Sequence, residues 1–223
     1  MDILYQDNRI FVCIKPAGVL STDEEGGMPD LIRAQLGDEK ACVRTVHRLD
    51  QVVSGVMVFA RSREASRILS VQMREHGFRK EYLAVVHGEN IPEHGELRDL
   101  LLRNKKEKKT YVVQETGKDV QEAVLEYEVL EKHGDCTLLR IRLKTGRTHQ
   151  IRAQFSSRGW PLVGDQKYGF SQTQAEHIAL WSYHLAFSHP QTGKRTAFSA
   201  LPPKVFPWDQ FSALDQMDCG IEV

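Results

Sequence analysis

The chain has 223 residues, 41% hydrophobic and 27% charged, and its 30 basic and 30 acidic residues cancel to a formal net charge of zero. That is enough to bury one full core or two small ones, and no run approaches the roughly 18 apolar residues of a membrane span. Met1-Asp2-Ile3-Leu4-Tyr5-Gln6-Asp7 lacks the head and apolar run of a secretory signal, and Cys13, Cys42, Cys136 and Cys219, with no CxxC pair, read as reduced thiols of a cytoplasmic protein.

Pro29 to Leu36 opens with a proline and stops at Gly37, which predicts a helix. Residues 52–60, an apolar run with a glycine inside, predict a central strand at a close backbone approach. Ser62 to His76 places Ala65, Ile68, Leu69 and Met73 near one helical face and ends at Gly77. Tyr82 to Val86 and Tyr111 to Val113 are short strands. Leu125, Tyr127 and Val129 then alternate with Glu126 and Glu128, and Leu139, Ile141 and Leu143 with Arg140, Arg142 and Lys144, which predicts a wholly basic outward face. Thr148 to Arg158 is a third helix, with Thr148 as its N-cap and Gly159 as its stop. The expected fold is α+β, a largely antiparallel mixed sheet flanked by helices and loops. Neither GxGxxG nor GxxxxGK[ST] occurs, which argues against a parallel dinucleotide-binding sheet.

The neutral total hides an uneven distribution. Residues 140–158 carry Arg140, Arg142, Lys144, Arg147, Arg152 and Arg158 with no acid, and Arg103, Lys105, Lys106, Lys108 and Lys109 form a second run broken only by Glu107. Such runs fit a phosphate-tracking face or plain solvated surface equally well.

Two segments carry chemistry. His47-Arg48-Leu49-Asp50 ends just before the strand at 52–60, so Asp50 sits at an element boundary. Alone it fits a turn aspartate; its functional alternative is a nucleophilic carboxylate. Lys144-Thr145-Gly146-Arg147-Thr148-His149-Gln150-Ile151-Arg152 packs bases around a glycine, with His149 and Arg152 three apart on one helix face. Arg152 can supply the fixed cation that keeps a partly buried carboxylate ionised.

With these stand Lys15-Pro16-Ala17-Gly18, Ser54-Gly55 after Asp50, Lys80-Glu81-Tyr82-Leu83-Ala84-Val85-Val86-His87-Gly88, Gly164-Asp165-Gln166-Lys167-Tyr168-Gly169 and His189-Pro190-Gln191-Thr192-Gly193. In this order, from about Ile3 to Trp208, the blocks resemble the RluA-type pseudouridine synthases, which isomerise uridines in ribosomal and transfer RNA. The resemblance implies that Asp50 is the catalytic aspartate and Arg152 its partner, the two meeting in a cleft across the sheet. Arg48 enters the stack vacated by the flipped uridine, Tyr82 packs on the target base, and Ile151 lines the uracil pocket. His47, Arg147 and His149 complete the expected substrate-contacting set. Gln51, Val52 and Val53 depart from the basic or acidic residue and threonine that many relatives carry before Ser-Gly.

The implied reaction breaks the N1–C1′ bond, turns the base and rejoins it through C5. Asp50 can attack C1′ or open a glycal route, and Tyr82, Asp50 or a water can take the C5 proton. No cofactor is expected and no metal, since there is no HExxH and no paired cysteine spacing. The expected partner is RNA, an rRNA or tRNA stem-loop, with no DNA and no membrane. The expected form is a monomeric single catalytic domain over 1–223, lacking the N-terminal S4-like RNA-binding domain of many relatives. The competing readings are a glycosidase or base-excising glycosylase, which usually needs a second nearby carboxylate, and a non-catalytic RNA-binding module.

Overall fold

The structure, a computed structural model, describes residues 1–75, 77–88, 90–170 and 174–223. Its elements run β1 (Ile3–Gln6), β2 (Ile10–Lys15), α1 (Met28–Leu36), β3 (Arg44–Thr45), β4 (Ser54–Ala60), α2 (Arg63–Arg74), β5 (Arg79–His87) and β6 (His94–Asn104). They continue with β7 (Lys109–Val113), β8 (Val120–His133), β9 (Cys136–Leu143), α3 (Gln150–Ser156), β10 (Leu180–Ser188), β11 (Arg195–Ser199) and β12 (Gly220–Glu222). The class is α+β with mostly antiparallel pairing, as the alternation predicts. The chain divides into two compact units, one of residues 1–80, 181–202 and 218–223, the other of 81–180 and 203–217. No described helix is long and apolar enough to cross a membrane.

In the first unit β2 lies antiparallel between β1 and β4, β3 also pairs with β4, and β10 runs parallel to β4. Then β11 pairs with β10, and β12 with β11. The apolar run at 52–60 becomes β4 only from Ser54, because residues 50–53 close a turn in which the Val53 N–H donates to the Asp50 carbonyl at 3.0 Å. Gly55 meets the expected close approach: a Cβ there would stand 2.5 Å from the backbone N and O of Ser182, and its φ of +123° suits glycine alone.

Ala65 and Leu69 of α2 join Ile10, Val12, Val56, Val58, Leu185, Phe187 and Phe198 in one core. Phe78 stacks on Phe187 at 5.1 Å between centroids. Each such fully buried side chain contributes about 1.5–3 kcal/mol. The Ser62 hydroxyl accepts from the Ala65 N–H and caps α2. Helix α2 ends at Arg74, short of the predicted His76, which lies outside the described residues.

The second unit is an antiparallel sheet in the order β5-β9-β8-β6-β7. Helix α3 packs on β6 and β7, and Leu101, Ala123 and Ala153 form a small core with Val112 and Tyr168 against it. The N-cap of α3 is His149, not the expected Thr148, with backbone in the left-handed region at φ 55°. Thr148 is unable to cap because its hydroxyl accepts from Arg103 and its carbonyl from Thr110.

Candidate active site

In the first unit, Asp50 sits on the turn between β3 and β4, half-buried, with Arg48 exposed two residues before it. That turn is clasped by the Lys15-Pro16-Ala17-Gly18 segment. The Gly18 N–H donates to the Gln51 carbonyl at 2.8 Å, and the Gln51 side-chain amide donates back to the Gly18 carbonyl at 2.9 Å. Lys15 is fully buried, and its ammonium donates to the carbonyls of Pro16, Val19 and Gln51 at 2.7, 2.7 and 3.0 Å. Burial pushes the Lys15 pKa down to about 8, while the negative charge of Asp50 pulls it back up. On the other side, the Ser21 hydroxyl donates to the Leu49 carbonyl at 2.8 Å and accepts from the Leu49 N–H at 3.1 Å. Gln51, where this chain departs from the pattern of many relatives, is thus a fastening of the turn.

His47 is buried under this turn, its Nε2 accepting from the Val58 N–H at 3.2 Å and its ring against Phe78. With Nε2 an acceptor, the neutral imidazole carries its proton on Nδ1, which has no hydrogen-bond partner among the described residues. Burial first, and the charge of Lys80 second, push the His47 pKa down to about 3, so it stays neutral at neutral pH.

The second unit holds Tyr82, Arg147, His149, Ile151 and Arg152. Tyr82 is buried on β5, opposite Ile141 of β9. The loop from β9 into α3 is closed by the buried Gln150 amide. Its oxygen accepts from the Thr145 hydroxyl at 2.8 Å and the Arg147 N–H at 3.0 Å, and its nitrogen donates to the Val124 carbonyl at 3.1 Å. Arg147 lays its Nε on the Glu122 carbonyl at 2.9 Å. The left-handed backbone at His149 costs on the order of 1–3 kcal/mol and is held from both ends. The Tyr168 hydroxyl accepts from the Thr110 N–H at 2.6 Å and shares a hydrogen bond of 2.8 Å with His149 Nδ1.

Ile151 and Arg152 are buried on the first turn of α3. The Arg152 guanidinium makes a bidentate pair with Asp165, Nε to Oδ2 and Nη2 to Oδ1, both at 2.8 Å. Asp165 Oδ1 also accepts from the Lys167 and Tyr168 N–H groups at 3.0 and 3.1 Å, and the Arg152 guanidinium carbon lies 5.0 Å from the Tyr168 ring centroid. A carboxylate, a ring and a helix therefore fix this cation before any substrate arrives. Gln150, Asp165 and Tyr168 carried no assigned role in the sequence, although the Gly164–Gly169 block contains the last two.

The electrostatic expectation needs correction. Arg140 and Arg142 on β9 stand in register opposite Glu128 and Glu126 on β8. Arg140 pairs with Glu128, Arg142 reaches the buried Glu81 at 3.3 Å, and Lys144 pairs with Glu126 at 3.0 Å. The face predicted to be wholly basic is a cross-strand ion-pair ladder, because its acids come from the neighbouring strand. Arg158 is likewise paired, with Asp99 at 2.9 Å. Exposed positive charge concentrates instead at the β6–β7 hairpin, on Arg103, Lys105, Lys106 and Lys108, with Lys167 joined to the Lys108 carbonyl at 3.1 Å.

Residues 9–157 match the family model described as RNA pseudouridylate synthase. The chain belongs to that family. It is 38% identical over 210 residues to the dual-specificity RNA pseudouridine synthase RluA of Escherichia coli (strain K12), covering 89% of this chain and 91% of that protein. It is 34% identical over 228 residues to an uncharacterized RNA pseudouridine synthase of Aquifex aeolicus (strain VF5), covering 92% of this chain and 71% of the relative. The human RNA pseudouridylate synthase domain-containing protein 1 shares the fold, with a TM-score of 0.78 at 22% identity over 95% of this chain and 86% of that one. The RluA-type resemblance read from the sequence blocks thus stands, and the enzyme class is an isomerase, an RNA pseudouridine synthase.

Proposed function

We propose that this pseudouridine synthase flips a uridine out of a structured rRNA or tRNA stem-loop and attacks it with Asp50. The observation that carries the reading is the clasp on the Asp50 turn, in which Lys15, Gly18 and Ser21 hold the backbone of Leu49 and Gln51 on either side of the half-buried Asp50. Such fixation suits a nucleophile, because it removes reorganisation from the reacting step.

Arg48 fills the vacated stack, its planar guanidinium meeting neighbouring bases and phosphate. His47, buried and neutral, acts on the turn from beneath. Tyr82 packs on the uracil, where stacking contributes about 1–3 kcal/mol, and Ile151 lines the apolar side of the pocket. Arg152, preset by Asp165, offers a fixed guanidinium to the reacting uridine. His149 and Arg147 contact the RNA backbone.

As Asp50 bonds to C1′, the N1–C1′ bond breaks and the uracil leaves as an anion. The base turns, C5 bonds to C1′ as Asp50 departs, the C5 proton passes to a base, and N1 is protonated. Every atom of the RNA is kept apart from protons exchanged with solvent. The enzyme works as a monomer in the cytoplasm on RNA alone, with no DNA or membrane partner.

The test is release of tritium from RNA labelled at uridine C5. Asp50→Asn is expected to release none while still binding RNA, and turnover equal to wild type overturns the assignment. Mapping pseudouridines by chemical adducts that stop reverse transcription, in cells with and without the gene, identifies the target uridine.

A further inference from the structure

His87 ends β5 and stands in register with Cys136, the first residue of β9. Asp135 occupies the turn from β8 into β9, next to Gly134 with φ 58°. These three side chains converge. His87 Nδ1 lies 3.0 Å from Asp135 Oδ2 and 4.0 Å from Cys136 Sγ, and Cys136 Sγ lies 3.5 Å from Asp135 Oδ1. None of them has a part in the uridine chemistry above.

In a tetrahedral zinc site the usual Zn–N, Zn–O and Zn–S bond lengths put neighbouring ligand atoms roughly 3.3–3.6 Å apart. With one donor atom taken from each residue, the imidazole nitrogen, a carboxylate oxygen and the thiol sulfur all lie within 4.8 Å of one another, so side-chain rotation brings them onto one cation. The backbone under the ligands is already fixed. The Gly88 N–H donates to the Asp135 carbonyl at 2.9 Å, and the Thr137 hydroxyl donates to the Gly88 carbonyl at 3.0 Å. The Phe170 ring stands edge-on to the His87 imidazole at 5.4 Å and shields one side. His87 and Cys136 are 49 residues apart, so no local spacing motif announces the group.

We propose that His87, Asp135 and Cys136 form a binding site for one zinc-class divalent cation, with water at the fourth position. The donor set decides the class: imidazole and thiolate select borderline-soft transition metals, whereas magnesium and calcium take oxygen ligands. The Cys136 thiol donates to Asp135 in the metal-free site, and binding releases that proton to solvent as the thiolate bonds to the metal. The cation ties the end of β5 to the β8–β9 turn.

The test uses the metal-free full chain titrated with cobalt(II). One cobalt per chain is expected, with a near-ultraviolet thiolate-to-cobalt charge-transfer band that zinc displaces. Cys136→Ser removes the band, His87→Gln weakens cobalt binding at least about tenfold, and the Cys42→Ser/Cys219→Ser double variant keeps it. Should Cys136→Ser fail to fold, protection of Cys136 in the wild-type chain from iodoacetamide by zinc reads the same contact. Absence of the band, its persistence in Cys136→Ser, or alkylation of Cys136 at an unchanged rate with zinc present would overturn the site.

Discussion

Asp165→Asn tests how the cation of the candidate site is held. Asp165 is 1% exposed and Arg152 is 5% exposed, so the pair is out of water. The amide keeps an oxygen for the Lys167 and Tyr168 N–H groups but turns a donor toward one of the two guanidinium nitrogens that the carboxylate now accepts from. Removing one partner of a buried, hydrogen-bonded ion pair costs about 3–5 kcal/mol, because the other charge stays buried. Retention of the backbone bonds places Asp165→Asn near about 3 kcal/mol. The assay is urea unfolding followed by the fluorescence of Trp160, Trp181 and Trp208, at pH 7. With m of roughly 2–3 kcal/mol per molar urea, the midpoint falls by about 1–1.5 M. The decisive measurement is the double variant Arg152→Met/Asp165→Asn. Methionine fills the guanidinium's place without charge, so the pair of changes should recover about 2 kcal/mol relative to Asp165→Asn alone. A loss below about 1 kcal/mol in the single variant, or no recovery in the double, would refute a buried pair that presets Arg152.

Three further outcomes are expected. Tyr82→Phe should keep RNA affinity close to wild type while Tyr82→Ala loses about 1–3 kcal/mol of binding; equal affinities in a filter-binding assay remove the stacking role. Lys15, held at about 8 in the fold against the ordinary 10.5, binds fewer protons than in the unfolded chain between those values. Its contribution to stability therefore rises as pH climbs from about 8 towards 10.5. The urea-midpoint difference between wild type and Lys15→Met should grow across that window, and a constant difference contradicts the burial argument. Lys105→Ala/Lys106→Ala should flatten the slope of log affinity against log salt by about 1.4–1.8, whereas Arg140→Ala/Arg142→Ala should barely change it. The reverse ranking would return RNA binding to the β9 face.

Legibility followed the range of the interaction. Helix α1 was readable because its opening proline and the Gly37 stop lie within ten residues, and that glycine does adopt φ 65°. Strand β4 and its close approach were readable because Gly55 interrupts an otherwise apolar run. The Thr148 cap failed because Arg103 and Thr110, some forty residues away, claim that residue. Propensity ranks cap residues without knowing their competitors. The same holds for the site. Asp50 and Arg152 stand out as residue types in short blocks, whereas the reasons they are fixed, Lys15 at Gln51 and Asp165 at Arg152, are contacts that no local pattern encodes.

The charge ladder links these lessons to RNA binding in a chain with no net charge. A strand's outward face is read from its own alternation, but its potential is set together with the strand beside it. Glu126 and Glu128 belong to the half-buried pattern of β8 and also neutralise β9. Such exposed pairs add little stability, at most about 1 kcal/mol each. Their larger effect is on where phosphate is attracted. With β9 neutralised, Lys105 and Lys106 at the β6–β7 hairpin are exposed and form no ion pair among the described residues, close in sequence to Arg103, which is bonded to Thr148 beside the α3 start. Pairing the β9 bases thus leaves the exposed positive charge of this unit concentrated at the β6–β7 hairpin, which an uneven but neutral composition can supply.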